Sequence, residues 1–185
     1  MKRRYFLCLV AIYGSVSLTG VGCSRKLQEK PAQSMPWQVF ASKEGGFSVE
    51  IPRAPEFQKL SANISKYSVN LDNHEQMYFA AYIELPRSVT EKAEVEKVLR
   101  VWADAELQKQ RVAAPDSEKP LSIQGYPGSE ITFHSPNRDG GETIGTIRLV
   151  IADTKAYELA VLFSNGKGTR EDSQRFFNSF RLAKR

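Results

Sequence analysis

Thr143 to Phe163, TIGTIRLVIADTKAYELAVLF, is the stretch that decides the fold. Ile147, Leu149 and Ile151 alternate with Thr146, Arg148 and Val150. Tyr157, Leu159, Val161 and Phe163 alternate in the same way with Glu158, Ala160 and Leu162. A period of two, enriched in β-branched and aromatic residues, marks strands with one face buried. Ala152-Asp153-Thr154-Lys155 joins the two strands as a turn. The alternate positions are partly apolar too, which predicts a helix covering part of the second face. The rest of the domain is expected to pack onto this pair.

Working outward toward the amino terminus, Ser135 to Gly141 is a turn cluster. Ser129–His134 and Leu121–Ile123 read as strands, interrupted by Gly125-Tyr126-Pro127-Gly128, and Pro115–Pro120 reads as a loop. Ser88-Val89-Thr90-Glu91 has the form of a capping box. It opens a helix to about Val112, whose Val95, Val98, Leu99, Trp102 and Ala105 make an apolar stripe. Trp102 is expected to seat that helix on the sheet. Ile64–Leu71 and Gln76–Glu84 form a strand pair across Asp72-Asn73-His74-Glu75, and Trp37–Ala41 pairs with Phe47–Ile51 across a Gly45-Gly46 turn. On the carboxyl side, Thr169 starts a final helix with Asp172 as capping partner and Phe176, Phe177 and Phe180 as an aromatic ridge. The order β-β-β-β-α-β-β-β-β-α, with mostly hairpin connections, predicts an α+β fold: an antiparallel β-sheet flanked by helices.

The amino terminus reads as an export leader. Met1-Lys2-Arg3-Arg4 is a basic start, Tyr5–Val16 an apolar run too short to be a comfortable membrane span, and Ser17–Gly22 a small-residue region before Cys23. Gly22-Cys23 resembles a lipoprotein lipobox, in which the cysteine takes a diacylglycerol thioether, although Gly20 stands where such motifs carry Leu. Gly20-Val21-Gly22 also suits ordinary signal-peptidase cleavage. The chain therefore divides into a signal peptide over 1–22, a polar tether over 23–36 beginning at the lipid-attachment candidate Cys23, and one domain over 37–185. The expected location is extracytoplasmic, anchored to the cell membrane or outer membrane.

Charge excludes some functions. The chain has 26 basic and 21 acidic residues. Setting aside Lys2, Arg3 and Arg4 leaves 23 against 21, interspersed along the sequence. That is a solvated surface without the basic stripe of a nucleic-acid binder. The other cysteine, Cys8, lies in the leader, so no internal disulfide or cysteine metal cage is expected, and no cofactor.

No catalytic constellation stands out. His134 with Asp139 and Glu142, or His74 with Asp72 and Glu75, has the residue types for a metal, but neither has a zinc-site spacing. Glu130 and Glu142 are acids able to meet across strands. Gly166-Lys167-Gly168-Thr169 lacks the spacing of a phosphate loop and reads as a helix cap. An exposed aromatic patch suits a binding protein better, with Tyr67, Tyr78 and Tyr126 as its candidates.

Gly46-Phe47-Ser48-Val49-Glu50-Ile51-Pro52, the mid-chain helix, Gly125-Tyr126-Pro127-Gly128, the long hairpin containing Ala156-Tyr157-Glu158-Leu159, and the final Arg175-Phe176-Phe177-Asn178-Ser179-Phe180 together resemble the PsbP-like superfamily. The resemblance covers roughly 37–182. That group includes lumenal photosystem proteins, Ran-binding Mog proteins and small bacterial lipoproteins of the DcrB type. The resemblance implies an antiparallel sheet with flanking helices and members that mostly bind or assist assembly; it carries no ligand residues across. The leading expectation is a lipid-anchored, non-catalytic accessory module acting on an unidentified envelope or membrane protein. The alternative is a small envelope hydrolase or metal-dependent enzyme built on the His134 loop.

Overall fold

A computed structural model describes residues 36–136 and 140–183. The leader, Cys23, the tether up to residue 35 and Asp139 lie outside these residues. The chain runs β1 (Gln38–Ser42), β2 (Phe47–Ile51), β3 (Glu56–Lys59), β4 (Ile64–Leu71), β5 (Gln76–Glu84), α1 (Lys92–Lys109), β6 (Ser117–Ile123), β7 (Tyr126–Pro136), β8 (Glu142–Ala152), β9 (Lys155–Ser164), α2 (Arg170–Ser179) and β10 (Arg181–Leu182). Seven strands form one sheet in the order β3-β4-β5-β9-β8-β7-β6, and β1-β2-β10 form a second, smaller one. Every pairing is antiparallel. The α+β expectation holds.

The β8–β9 hairpin lies in the middle of the large sheet. Its turn is tight because Asp153 adopts a left-handed conformation (φ 56°), which Asp tolerates better than most residues. The two alternating faces enter two separate cores. Ile147, Leu149 and Ile151, with Ala156 and Ala160, pack under Val95, Leu99, Ala103 and Leu107 of α1. Val150, Tyr157, Leu159 and Val161 pack instead against Phe47, Val49 and Ile51 of β2 and Phe176 and Phe177 of α2. The large sheet is thus a middle layer, covered on one side by α1 and on the other by the small sheet with α2. Tyr157 fixes the layers to each other: its hydroxyl donates to the Gly45 carbonyl at 2.8 Å, and its ring meets those of Phe47 and Phe180 edge-on.

Several local expectations are corrected. Ser88 caps nothing; Glu91 is the N-cap and accepts no side-chain cap bond. Instead Leu85 and Val89 donate their amides to Thr154 and Asp153, so this segment grips the β8–β9 turn, and Val89 enters the core. The helix also ends sooner than Val112. Arg111 turns left-handed (φ 59°), Arg111 N donates to Gln108 O, and Val112 N donates to Leu107 O, a Schellman closure. Val112 still packs on the apolar side, which explains why the stripe looked continuous.

Strand β6 occupies most of the expected Pro115–Pro120 loop, and Tyr126-Pro127-Gly128 opens β7 rather than interrupting it. Strands β3 and β10 have no counterpart in the sequence reading. At the far edge of the large sheet, Pro120 sits within β6 and lacks the amide that strand addition requires. By contrast, the last helix starts as expected: Thr169 is the N-cap, and its hydroxyl oxygen accepts from Asp172 N at 3.1 Å.

Candidate functional site

Past the part of the large sheet that α2 covers, the same face continues over β6, β7 and β8 as an open floor. Its side chains are set by register. Lys119 of β6 lies opposite Glu130 of β7, which lies opposite Arg148 of β8. One step along, Ser117, Thr132 and Thr146 form a second row, and beyond it His134 lies opposite Ile144. The first turn of α2 and the Gly166-Lys167-Gly168 loop form the facing wall. The cleft between floor and wall has a volume of about 610 Å³. Gly168 is held left-handed (φ +82°), and a Cβ there would sit 2.5 Å from the Phe163 ring, so the loop closes against β9 only with glycine at this position.

The charged row is fully engaged on the acid's side. Glu130 is 8% exposed. Lys119 Nζ lies 2.7 Å from its Oε1, and Arg148 Nε donates to its Oε2 at 2.6 Å. Burial alone would raise this carboxyl, but the hydrogen bonds from Lys119 and Arg148 outweigh it and hold the group below its ordinary value. Arg148 is further fixed by the Phe177 ring, 4.7 Å beneath its guanidinium carbon. With Nε committed to Glu130, the terminal nitrogens of Arg148 make no hydrogen bond among the described residues. Lys167 and Arg170 stand on the wall. Lys119, Arg148, Lys167 and Arg170 therefore line the cleft with Glu130 as the acid among them, Lys167 also pairing with Glu75 at 4.0 Å. Ile144, 45% exposed, adds an apolar step to the floor.

Of the residues singled out from the sequence, Asp139 lies outside the described residues. His134 Nδ1 pairs with Asp116 Oδ2, and this bond is the main reason its imidazole titrates above the ordinary value. Glu142 lies opposite Pro136, and Glu130 meets Arg148 rather than Glu142. Among the described residues no three His, Cys, Asp or Glu side chains gather as a metal site. Around His74 the acids serve as fasteners: Asp72 accepts from Gln76 Nε2 at 2.8 Å and Glu75 from Asn165 Nδ2 at 3.1 Å.

The tyrosines do not make one exposed patch. Tyr78 is 1% exposed, enclosed by Trp37, Phe163 and Phe176, and is corrected to a core residue. Its strand is central, so both of its faces are covered. Tyr67 is half-buried among Phe40, Phe47 and Phe57, with its hydroxyl 3.1 Å from Ser42 Oγ. Tyr126 is half-buried and donates its hydroxyl to Asp153 Oδ2 at 3.2 Å.

The sequence reading missed Lys119 and Arg148 as site residues. A usable signal existed in Arg148, a charge placed inside the most apolar strand of the chain, where only a partner makes burial tolerable.

No protein-family model matches the chain, and no curated protein is similar to it in sequence. Solved structures are similar in fold. A protein from Bacteroides thetaiotaomicron VPI-5482 superposes with a TM-score of 0.51 at 13% identity, covering 80% of this chain and 48% of the other, so this chain spans about half that protein's length. The Ran-binding protein Mog1p of Saccharomyces cerevisiae superposes more loosely, with a TM-score of 0.44 at 10% identity over 80% and 96% of the chains. The solution structure of cyanobacterial PsbP (CyanoP) from Synechocystis sp. PCC 6803 superposes with a TM-score of 0.58 at 11% identity, over 91% of this chain and 98% of that one. The chain has a PsbP-like α+β fold.

Proposed function

We propose that this protein is a non-catalytic accessory module that binds a protein of the cell envelope or of a membrane complex, held at the membrane surface by lipid on Cys23. In this reading it stands with the small bacterial lipoproteins of the DcrB type. The observation that carries the binding reading is the cleft. Its floor is a hydrogen-bonded sheet, its wall is a capped helix, and the Lys119–Glu130–Arg148 row is held by its own ion pairs before any ligand arrives. Such preorganisation reduces the entropy lost on association. The leader and the position of Cys23 support the anchor, and the polar tether gives the domain reach from the surface.

Two measurements test this reading. The full-length protein, extracted in detergent from its membrane fraction, is expected to co-purify with a membrane or envelope protein. That protein is expected to be lost when Lys167 and Arg170 are both changed to Glu. Recovery of nothing above control, or equal recovery by the variant, refutes cleft-dependent binding. The intact mass of the mature protein is expected to carry diacylglycerol and acyl chains that vanish in Cys23→Ser. A bare chain beginning at Cys23 refutes the anchor.

A further inference from the structure

We infer that the cleft recognises an acidic side chain carried on a protein segment, beside an apolar residue of the same segment; this rests on the binding-module reading above. Arg148 is the centre of the argument. Its Nε is committed to Glu130 and its plane to Phe177, so the guanidinium is held in one orientation. Its terminal N–H groups are left for an acceptor from outside, and a planar pair of donors matches a carboxylate in two parallel hydrogen bonds.

The surroundings favour a negative ligand. Lys119, Arg148, Lys167 and Arg170 line the cleft, where Glu130 is the acid of the lining and is already shared by Lys119 and Arg148, while Lys167 also pairs with Glu75 at 4.0 Å. Glu171 and Asp172 of the same helical turn lie outside the lining, and Asp172 is occupied by the Thr169 hydroxyl at 2.8 Å. The Thr146 hydroxyl adds a neutral donor beside Arg148. The surroundings also favour a polypeptide over a bare anion. Ile144 is exposed on the floor and Phe163 is only half-buried beside it, so the cationic end of the cleft continues into an apolar end. An acidic residue followed by an aliphatic or aromatic one satisfies both ends. Strand addition is not the mode, because Pro120 interrupts the edge of the sheet.

The test is selection of random short peptides, displayed on phage, against the immobilised full-length protein. The expected outcome is enrichment of peptides with Asp or Glu next to Leu, Ile or Phe, binding more weakly as salt is raised. Synthetic copies of the selected peptides should lose roughly tenfold or more in affinity to the Lys167→Glu, Arg170→Glu double variant, whose changes are on exposed side chains. The paired variant Glu130→Gln with Arg148→Met removes both buried charges together and should lose at least as much. Peptides without an acidic bias, or peptides that bind both variants as well as the parent, overturn the inference. Displacement of the selected peptides by inorganic phosphate or by phosphatidylglycerol vesicles at comparable concentration also overturns it, in favour of a phosphate-bearing ligand. If no peptide is selected while a membrane protein is still captured through the cleft, the acidic-segment inference alone falls. If that capture fails as well, the binding-module reading falls with it.

Discussion

Glu106 of α1 and Glu158 of β9 meet inside the helix–sheet interface, 5% and 6% exposed respectively. They come from opposite layers, and one Glu158 oxygen, Oε1, has no hydrogen-bond partner among the described residues. Burial first, and the neighbouring Glu106 charge second, push the Glu158 carboxyl up to about 8. Lys109, which donates to Glu106 Oε1, and Lys66, which lies over the Phe79 ring at 4.1 Å, moderate the effect from the rim.

Stability is therefore expected to fall as the solution becomes alkaline. In the unfolded chain Glu158 ionises near the ordinary value of about 4.3, whereas in the folded chain it holds its proton to about pH 8. Between those values the native state binds more protons, so unfolding free energy decreases with rising pH through that window. Burial holds Lys66 below its ordinary value, and it acts in the opposite direction toward the alkaline end. Glu158→Gln mimics the protonated acid: it should match the parent in mild acid and exceed it by roughly 2–4 kcal/mol above the window. Urea unfolding on both sides of the window measures this; parallel curves for parent and variant would count against it.

Gly145→Ala should destabilise the sheet from within. Gly145 of β8 lies directly opposite Phe133 of β7, and a Cβ there would fall 2.1 Å from the end of that buried ring. Overpacking of this kind costs about 1–3 kcal/mol. Adding Phe133→Leu should recover part of the loss, and thermal melts of the single and double variants decide whether the two positions are coupled.

Thr169→Ala removes the α2 N-cap. The Asp172 amide then loses its acceptor, at a cost of about 1 kcal/mol. Because this turn is also the wall of the cleft, amide exchange in the first turn of α2 should speed up more than exchange in α1. Uniform acceleration across both helices would contradict a local cap.

Asp116→Asn should lower the titration midpoint of His134. The hydrogen bond that the ring donates to Asp116 is the first cause of its elevation, with the charges of Asp116 and Glu142 adding to it. Any stabilisation from this exposed pair is present below the ordinary histidine value of about 6.5 and fades as pH rises through the raised one. Titration followed by NMR of the ring protons tests this, and an unchanged midpoint in the variant rules out Asp116 as the cause.

The sequence by itself determined the long strands, the helix positions and the fold class. Alternation over 143–163 and the apolar stripe through Val95 and Leu99 are local patterns, each dictated by which side of one element must leave water. Ala105 of the expected stripe is exposed, however, and Ala103 and Leu107 take the buried positions. Strands β3 and β10, and the extent of β6, were not legible in that way. They are short or exposed and carry little apolar alternation, so only their hydrogen-bonded neighbours make them strands. The same limit applies to the site. Lys119, Glu130 and Arg148 are spread over three strands, and nothing in their spacing announces a row; the register of β6, β7 and β8 creates it. Tyr78 shows the converse, since an aromatic on a strand reads as available until two layers close over both faces. Local periodicity says which side of an element is buried, while long-range register and layer packing decide which residues meet. Only the tertiary structure could therefore place the free end of Arg148 in an open cleft.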